Sequence, residues 1–308
     1  MLEPQDRILF TEALRPPEGY ELSWAIGTTY TLDLVAAVAA PLAFALFDWE
    51  QDDAQATPDP IPLLEALRRY ADKMTVFVQA GHTAVPKPQQ FLLSYLDGSV
   101  IEAAAPTPGG LFHPKVWVLR FTAPDQPVQY RLACLSRNLT FDRCWDTAVV
   151  IEGPVIDRRT AFSRNRPLAD FVGALPNLAV RRPSAELRRR IRTTRDEVLR
   201  VDWVLPPSFS DLRFWPMGIE GHRRWPFSGR VDRMLVVSPF VGGEGLERLS
   251  AERENSVLVS RLETLQEIEG AVLERFENIY VLDEAADIDA RSAEEQGESV
   301  EALASALQ

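Results

Sequence analysis

Residues 111–140 read LFHPKVWVLRFTAPDQPVQYRLACLSRNLT, and this stretch decides the fold. Two apolar runs, Leu111–Phe121 and Gln129–Leu135, have the length and composition of β-strands. Between them, Thr122–Val128 contains two prolines and an aspartate, which is typical of a hairpin loop. The sequence therefore predicts an antiparallel pair of strands here.

Polar side chains interrupt this hairpin at its open end. Residues two apart on a strand share a face, so His113 and Lys115 are expected to point the same way, as are Ser136 and Asn138. A neutral imidazole attacks phosphorus without first losing a proton. Lysine and an asparagine amide donate hydrogen bonds to the non-bridging oxygens of a phosphoryl group. The four residues are thus candidates for phosphodiester chemistry that needs no metal and no cofactor.

Helices and strands alternate on the N-terminal side of the hairpin, which predicts an α/β fold with helices flanking a mixed sheet. The predicted strands around the hairpin are Glu21–Thr28, Thr75–Gln79, Ser99–Ala104 and Thr147–Glu152, and the predicted helices are residues 32–47 and 63–74. We expect residues 1–155 to form a first half that contains the motif.

A second α/β pattern follows residue 231 and repeats the element order of the first. Its predicted elements are the strands Met234–Ser238, Ser256–Ser260 and Ile279–Leu282, and the helices Leu246–Ala251 and Thr264–Phe276. Residues 156–230 are predicted to be a connector, with arginine-rich helices at Leu168–Leu175 and Ala185–Val201 and a proline-rich end. We therefore expect two related halves, with residues 231–308 as an incomplete second half that lacks a motif.

The H-x-K pattern of His113 and Lys115, followed by the S-x-N-L-T pattern of Ser136 to Thr140, resembles the phospholipase D superfamily. The resemblance implies a metal-independent phosphodiesterase; the family includes phospholipases, nucleases, tyrosyl-DNA phosphodiesterases and transferases. It also implies roles: His113 attacks phosphorus to form a phosphohistidine, Lys115 and Asn138 hold the non-bridging oxygens, and Ser136 orients the group.

Three features depart from the family's pattern. Arg120 stands five residues after Lys115, where an aspartate is common, and Leu135 rather than glycine precedes Ser136. The tyrosyl-DNA phosphodiesterase branch also lacks that aspartate. The family builds one site from two H-x-K motifs, whereas this sequence has one, because neither His82 nor His222 has a lysine two residues later.

The missing second histidine has two possible sources. If the second half repeats the first, its motif would fall at or beyond Gln308, and the sequence would be a fragment. Alternatively, two copies of the chain pair in a homodimer, each contributing one motif. A general acid–base mechanism requires the second imidazole in either case.

Charge and composition narrow the choice of partner. The net charge is −12, but residues 157–200 hold twelve arginines against five acids, whereas residues 243–308 hold seventeen acids against five arginines. A nucleic acid would therefore have to bind at a locally basic surface rather than through the net charge of the protein. The same arginines can equally form a solvated helical face. No bilayer-length apolar run and no signal peptide are found, so we expect a cytoplasmic protein. Cys134 and Cys144 do not have zinc-site spacing.

The sequence favours a nucleic-acid phosphodiester as substrate over a lipid, with DNA processing or phage defence as the setting. Two alternatives remain open: a catalytically silent scaffold in a nucleic-acid-handling complex, and a phospholipase. Trp145 and Asp146, close behind the second motif, either shape the pocket or begin a strand with a buried tryptophan.

Overall fold

The computed structural model describes residues 8–45, 60–87, 91–141, 146–158, 160–207, 209–222, 224–227, 231–249 and 253–282. The chain divides into two compact units, Met1–Arg223 and Arg224–Gln308. Cys144, Trp145 and the chain after residue 282 lie outside the described residues.

The first unit is built on a six-stranded mixed sheet in the order β5-β3-β1-β6-β7-β8. Its elements are α1 (Phe10–Leu14), β1 (Glu21–Thr29), β2 (Leu32–Asp33), α2 (Leu34–Ala45), α3 (Pro60–Ala71), β3 (Met74–Gln79), β4 (Thr83–Ala84), β5 (Val100–Ala103), β6 (Val116–Thr122), β7 (Gln129–Leu135), β8 (Ala148–Pro154), α4 (Arg166–Leu178) and α5 (Ala185–Val198). Strands β1, β3 and β5 are parallel, while β6 runs antiparallel to β1, and β7 runs antiparallel to both β6 and β8. The α/β fold with helices flanking a mixed sheet is confirmed.

Alternation along the strands gives the sheet two apolar faces, each covered by helices. On β6, for example, Trp117 and Leu119 belong to the core under α2 and α3, whereas Val118 belongs to the core under α4 and α5. The arginine-rich helices predicted as part of a connector therefore pack on the first sheet. Helix α5 begins at a serine cap, since Ser184 Oγ accepts a hydrogen bond from Leu187 N at 3.1 Å.

The hairpin forms as predicted, but its first strand begins later than Leu111. Residues 111–115 have no regular secondary structure, and β6 starts at Val116. Pro114 has no N–H to give to a strand ladder, which explains the late start. His113 and Lys115 thus lie just before β6, and Ser136 and Asn138 lie just after β7.

The second unit has a three-stranded parallel sheet in the order β11-β10-β9. Its elements are β9 (Met234–Val237), α6 (Gly243–Glu247), β10 (Ser256–Ser260), α7 (Leu262–Gln266), α8 (Gly270–Leu273) and β11 (Asn278–Val281). The order and direction of these strands repeat those of β5-β3-β1. The single helix predicted over Thr264–Phe276 is wrong: it is two short helices, because Glu269 is extended and Gly270 is a poor helix former.

Candidate active site

The predicted site residues gather at one edge of the six-stranded sheet. Parallel strands end at the same edge, and an antiparallel neighbour begins there. This edge is formed by the ends of β1, β3 and β7 and by the starts of β6 and β8. Both halves of the motif therefore meet because the hairpin brings the start of β6 beside the end of β7. Leu135 N donates to Lys115 O at 2.8 Å and closes the pair.

His113 and Lys115 are in direct contact. Lys115 Nζ lies 3.0 Å from His113 Nδ1 and 3.1 Å from Nε2. Partial burial lowers the pKa of His113, and the positive charge of Lys115 lowers it further, against a smaller opposing effect of a backbone hydrogen bond. Both effects favour the neutral imidazole, which has a lone pair on one nitrogen. Burial also lowers the pKa of Lys115, opposed by the negative charge of Asp146.

Asn138 is held by the chain that follows β1. Its Oδ1 accepts hydrogen bonds from Tyr30 N at 3.3 Å and Thr31 N at 3.4 Å. Two backbone donors fix which end of the amide is oxygen, so the NH2 group is the end that can donate elsewhere. The next residue is also anchored, since Leu139 N donates to Thr29 Oγ1 at 3.0 Å and Leu139 O accepts from Asp33 N at 2.9 Å.

Ser136 faces the start of β8. Its hydroxyl donates to Asp146 Oδ1 at 2.7 Å and accepts from Thr147 N at 2.9 Å. Arg137 Nη1 lies 3.8 Å from the other carboxylate oxygen of Asp146. Ser136 is therefore engaged with protein groups, which suits an orienting role better than direct contact with a substrate.

Two further aromatic residues lie at this edge, and the sequence analysis did not place them there. Tyr30 follows β1 directly, and its ring centroid lies 4.7 Å from that of His113 and 4.4 Å from that of His82. His82 follows β3, the parallel neighbour of β1. His82 does not match the H-x-K pattern, because no lysine follows it two residues later. Its position just after a predicted parallel strand nevertheless indicates that it lies at this edge of the sheet.

The remaining histidine lies on other elements. His222 Nε2 is 3.1 Å from Asp170 Oδ2 on α4, in a half-buried pair. Neither His82 nor His222 matches the H-x-K pattern, but the two differ in position. His82 is in ring contact with Tyr30 at the sheet edge, whereas His222 is paired with Asp170 on α4.

Arg120, the departure from the family's pattern, forms a structural cluster on the face of the sheet under α5. Its guanidinium donates to both carboxylate oxygens of Glu197, at 2.7 and 3.0 Å, and Tyr130 Oη donates to the same carboxylate at 2.6 Å. The guanidinium also lies over the Trp24 ring, 4.5 Å from its centroid. Arginine at this position therefore fastens α5 to the sheet.

No family model and no curated protein matches the chain. Solved structures similar to it include yeast tyrosyl-DNA phosphodiesterase, with a TM-score of 0.36 and 13% identity, covering 64% of this chain and 38% of the yeast chain. A histidine-to-alanine mutant of the yeast protein gives a TM-score of 0.34 and 11% identity, covering 57% of this chain and 34% of the mutant chain.

The chain thus spans little more than a third of the length of these structures. Tyrosyl-DNA phosphodiesterases form one branch of the superfamily that the two motifs resemble.

Proposed function

We propose that this protein is a phosphodiesterase of the phospholipase D type that cleaves P–O bonds in nucleic acid through a phosphohistidine on His113. The observation that carries the proposal is the juxtaposition, at one sheet edge, of the His113 imidazole, the Lys115 amino group 3.0 Å from it and an asparagine amide with a fixed orientation. These are the groups that covalent transfer of a phosphoryl group requires.

The first step is attack on phosphorus. A neutral His113 nitrogen forms the P–N bond while the bond from phosphorus to the leaving oxygen breaks. Lys115 and the NH2 group of Asn138 donate to the non-bridging oxygens, where negative charge accumulates. The Asn138 amide costs no reorganisation in this role, because Tyr30 N and Thr31 N already hold its oxygen.

The second step is hydrolysis of the phosphohistidine. It needs a group that first protonates the leaving oxygen and then takes a proton from water. A second histidine, from a continuation of the chain or from a partner copy, is one way to supply it. The mechanism requires no metal ion, because Lys115 and Asn138 provide the charge stabilisation.

Nucleic acid is favoured over lipid as the substrate on charge. Arg181, Arg182, Arg189, Arg192 and Arg195 are exposed on α5 and in the loop before it, and arginine pairs well with backbone phosphates. No described helix is long and apolar enough to cross a bilayer.

The test is release of p-nitrophenol from the p-nitrophenyl ester of thymidine 5′-monophosphate, in excess EDTA. The wild-type protein should release product, and His113→Gln should lower the rate on the order of 10³-fold or more. The matched control is His222→Gln, a histidine outside the site, which should keep the wild-type rate. Activity that survives in His113→Gln, or that requires added divalent metal, would refute the proposal.

Substrate class is then decided with a single-stranded DNA oligonucleotide and phosphatidylcholine vesicles in the same buffer. Cleavage of the oligonucleotide with intact vesicle lipid supports the nucleic-acid assignment. Lipid hydrolysis would overturn it in favour of a phospholipase. Binding of the oligonucleotide without turnover of any ester would indicate the scaffold instead.

A further inference from the structure

His82 is held in a fixed place by the backbone around it. It lies between β3 and β4, after a turn in which His82 N donates to Gln79 O at 3.0 Å. The turn passes through Gly81 at φ +77°, a conformation that favours glycine. Leu32 N donates to His82 O at 2.9 Å, where β2 pairs with β4. These bonds tie His82 to the chain that follows β1.

The segment that follows β1 also positions His113. The Tyr30 ring contacts both imidazoles, with tilts of 38° to His82 and 44° to His113. On the His113 side, Gln79 Oε1 accepts a hydrogen bond from Phe112 N at 2.6 Å. One strand end, that of β3, thus holds His82 through the Gln79 backbone and the residue before His113 through the Gln79 side chain.

We propose that His82 is the second imidazole of the site, supplied by this chain itself, and that Tyr30 is a positioning residue that sets its distance from His113. The inference rests on the phosphohistidine mechanism and adds its proton-transfer group. No second H-x-K motif is then needed for turnover.

The reaction sets where the two imidazoles must act. The attacking nitrogen must come within about 3–3.5 Å of phosphorus, and the proton donor within about 2.6–3.2 Å of the leaving oxygen. In an in-line displacement these two positions lie on opposite sides of phosphorus. Both imidazoles pack on the ring of Tyr30, with centroid distances of 4.4 Å for His82 and 4.7 Å for His113.

The proposed cycle balances. In this cycle His113 is the nucleophile and His82 carries the proton. As the P–N bond forms and the ester bond breaks, His82 gives its proton to the leaving oxygen. Neutral His82 then takes a proton from water, whose oxygen attacks phosphorus as the P–N bond breaks. The products are an alcohol and a phosphate monoester, and both histidines return to their starting states.

The lack of a lysine two residues after His82 agrees with this division of labour. In the proposed cycle the non-bridging oxygens are already held by Lys115 and Asn138. A proton-transfer imidazole needs only its own nitrogen and a fixed position, and the backbone bonds around His82 provide the position. Thr83 and Ala84, which replace the rest of a second motif, are instead used in the pairing of β4 with β2.

The experiment counts product per protein molecule with the p-nitrophenyl ester, whose good leaving group needs little protonation. The wild-type chain should turn over many times. His82→Ala should release about one equivalent in a burst and then slow by about 100-fold or more, because the phosphohistidine on His113 persists. The intact mass of the variant should show the added nucleotide, and added imidazole should restore turnover.

Each other result decides something different. A one-equivalent burst from the wild-type chain would support His113 as nucleophile but overturn His82, and would place the second imidazole on a partner or continuation. Full turnover by His82→Ala would likewise overturn His82 alone. No release from the wild-type chain would overturn the proposed function together with this inference.

Folding is controlled in two ways. His82→Gln, which keeps a polar side chain of similar length, should give the same burst as His82→Ala, and both should unfold at the wild-type urea midpoint. His222→Gln should turn over as the wild type does. If His82→Ala alone loses activity and also loses its unfolding transition, while His82→Gln turns over normally, His82 is structural and the inference is wrong.

Discussion

Removal of Arg120 on β6 should destabilise the first unit far more than removal of an exposed arginine on α5. The side chains of Arg120 and Glu197 are only 14% and 16% exposed. Replacing Arg120 by methionine leaves the Glu197 carboxylate buried, with Tyr130 as a remaining donor. Breaking a buried ion pair from one side costs about 3–5 kcal/mol. That is a large part of the stability of a typical domain, which is about 5–15 kcal/mol.

The assay is urea unfolding, followed by tryptophan fluorescence because Arg120 lies over Trp24. Arg120→Met should lower the free energy of unfolding by about 3 kcal/mol or more. The double variant Arg120→Met with Glu197→Leu should recover part of this loss, since no unpaired charge remains. The control is Arg189→Ala, whose exposed pair with Glu186 on α5 is screened by solvent, so its urea midpoint should stay close to that of the wild type.

The same cluster gives a pH dependence. Burial alone raises the pKa of Glu197, but hydrogen bonds from Arg120 and Tyr130 more than offset this and lower it. A carboxyl group with a lowered folded-state pKa stabilises the fold above its ordinary pKa, and the effect is lost as pH falls toward the folded value. The advantage of the wild type over Glu197→Gln should shrink over that acidic range. If Arg120→Met lowers the free energy of unfolding by less than about 1 kcal/mol, or if the double variant recovers none of the loss, the Arg120–Glu197 pair does not stabilise the fold as described.

Three further outcomes follow from contacts described above. Lys115→Met should raise the pKa of His113, measured by NMR titration, because a nearby positive charge that disfavours the imidazolium is gone; an unchanged or lower pKa would contradict this. Gly27→Ala should lower the free energy of unfolding by about 1–3 kcal/mol, since the new methyl group would lie 2.9 Å from the Trp117 ring, and a neutral effect in urea would contradict the packing. Ser184→Ala should cost about 1 kcal/mol in the same measurement by removing the α5 cap, whereas Ser184→Gly should cost less.

The hairpin and its four polar residues could be predicted from the sequence because the signal is local. The apolar runs, the loop between them and the two-residue spacing all lie within thirty residues, and the register follows from the loop. The predicted strand start at Leu111 is wrong by a few residues. The apolar pattern runs through Pro114, but proline has no N–H to donate to the strand ladder.

Tyr30 and His82 were not assigned because their proximity depends on the order of strands in the sheet. The strands before them were predicted, but that β3 lies beside β1 and parallel to it is a non-local fact. Arg120 is a similar case. Its partner Glu197 is on a helix far along the chain, so the sequence showed only that an aspartate was missing, and not what the arginine does.

The antiparallel hairpin also separates the site from its own connecting loop. His113 and Ser136 lie at the open end of β6 and β7, and residues 123–128 lie at the closed end, a seven-residue strand away, or roughly 20 Å. The side chains at the tip of this loop, Pro124 to Pro127, are exposed. An affinity tag or fluorophore inserted here would lie at the end of the sheet away from the histidines. This loop is therefore a suitable place to attach the protein to a surface without modifying the edge that carries the motif.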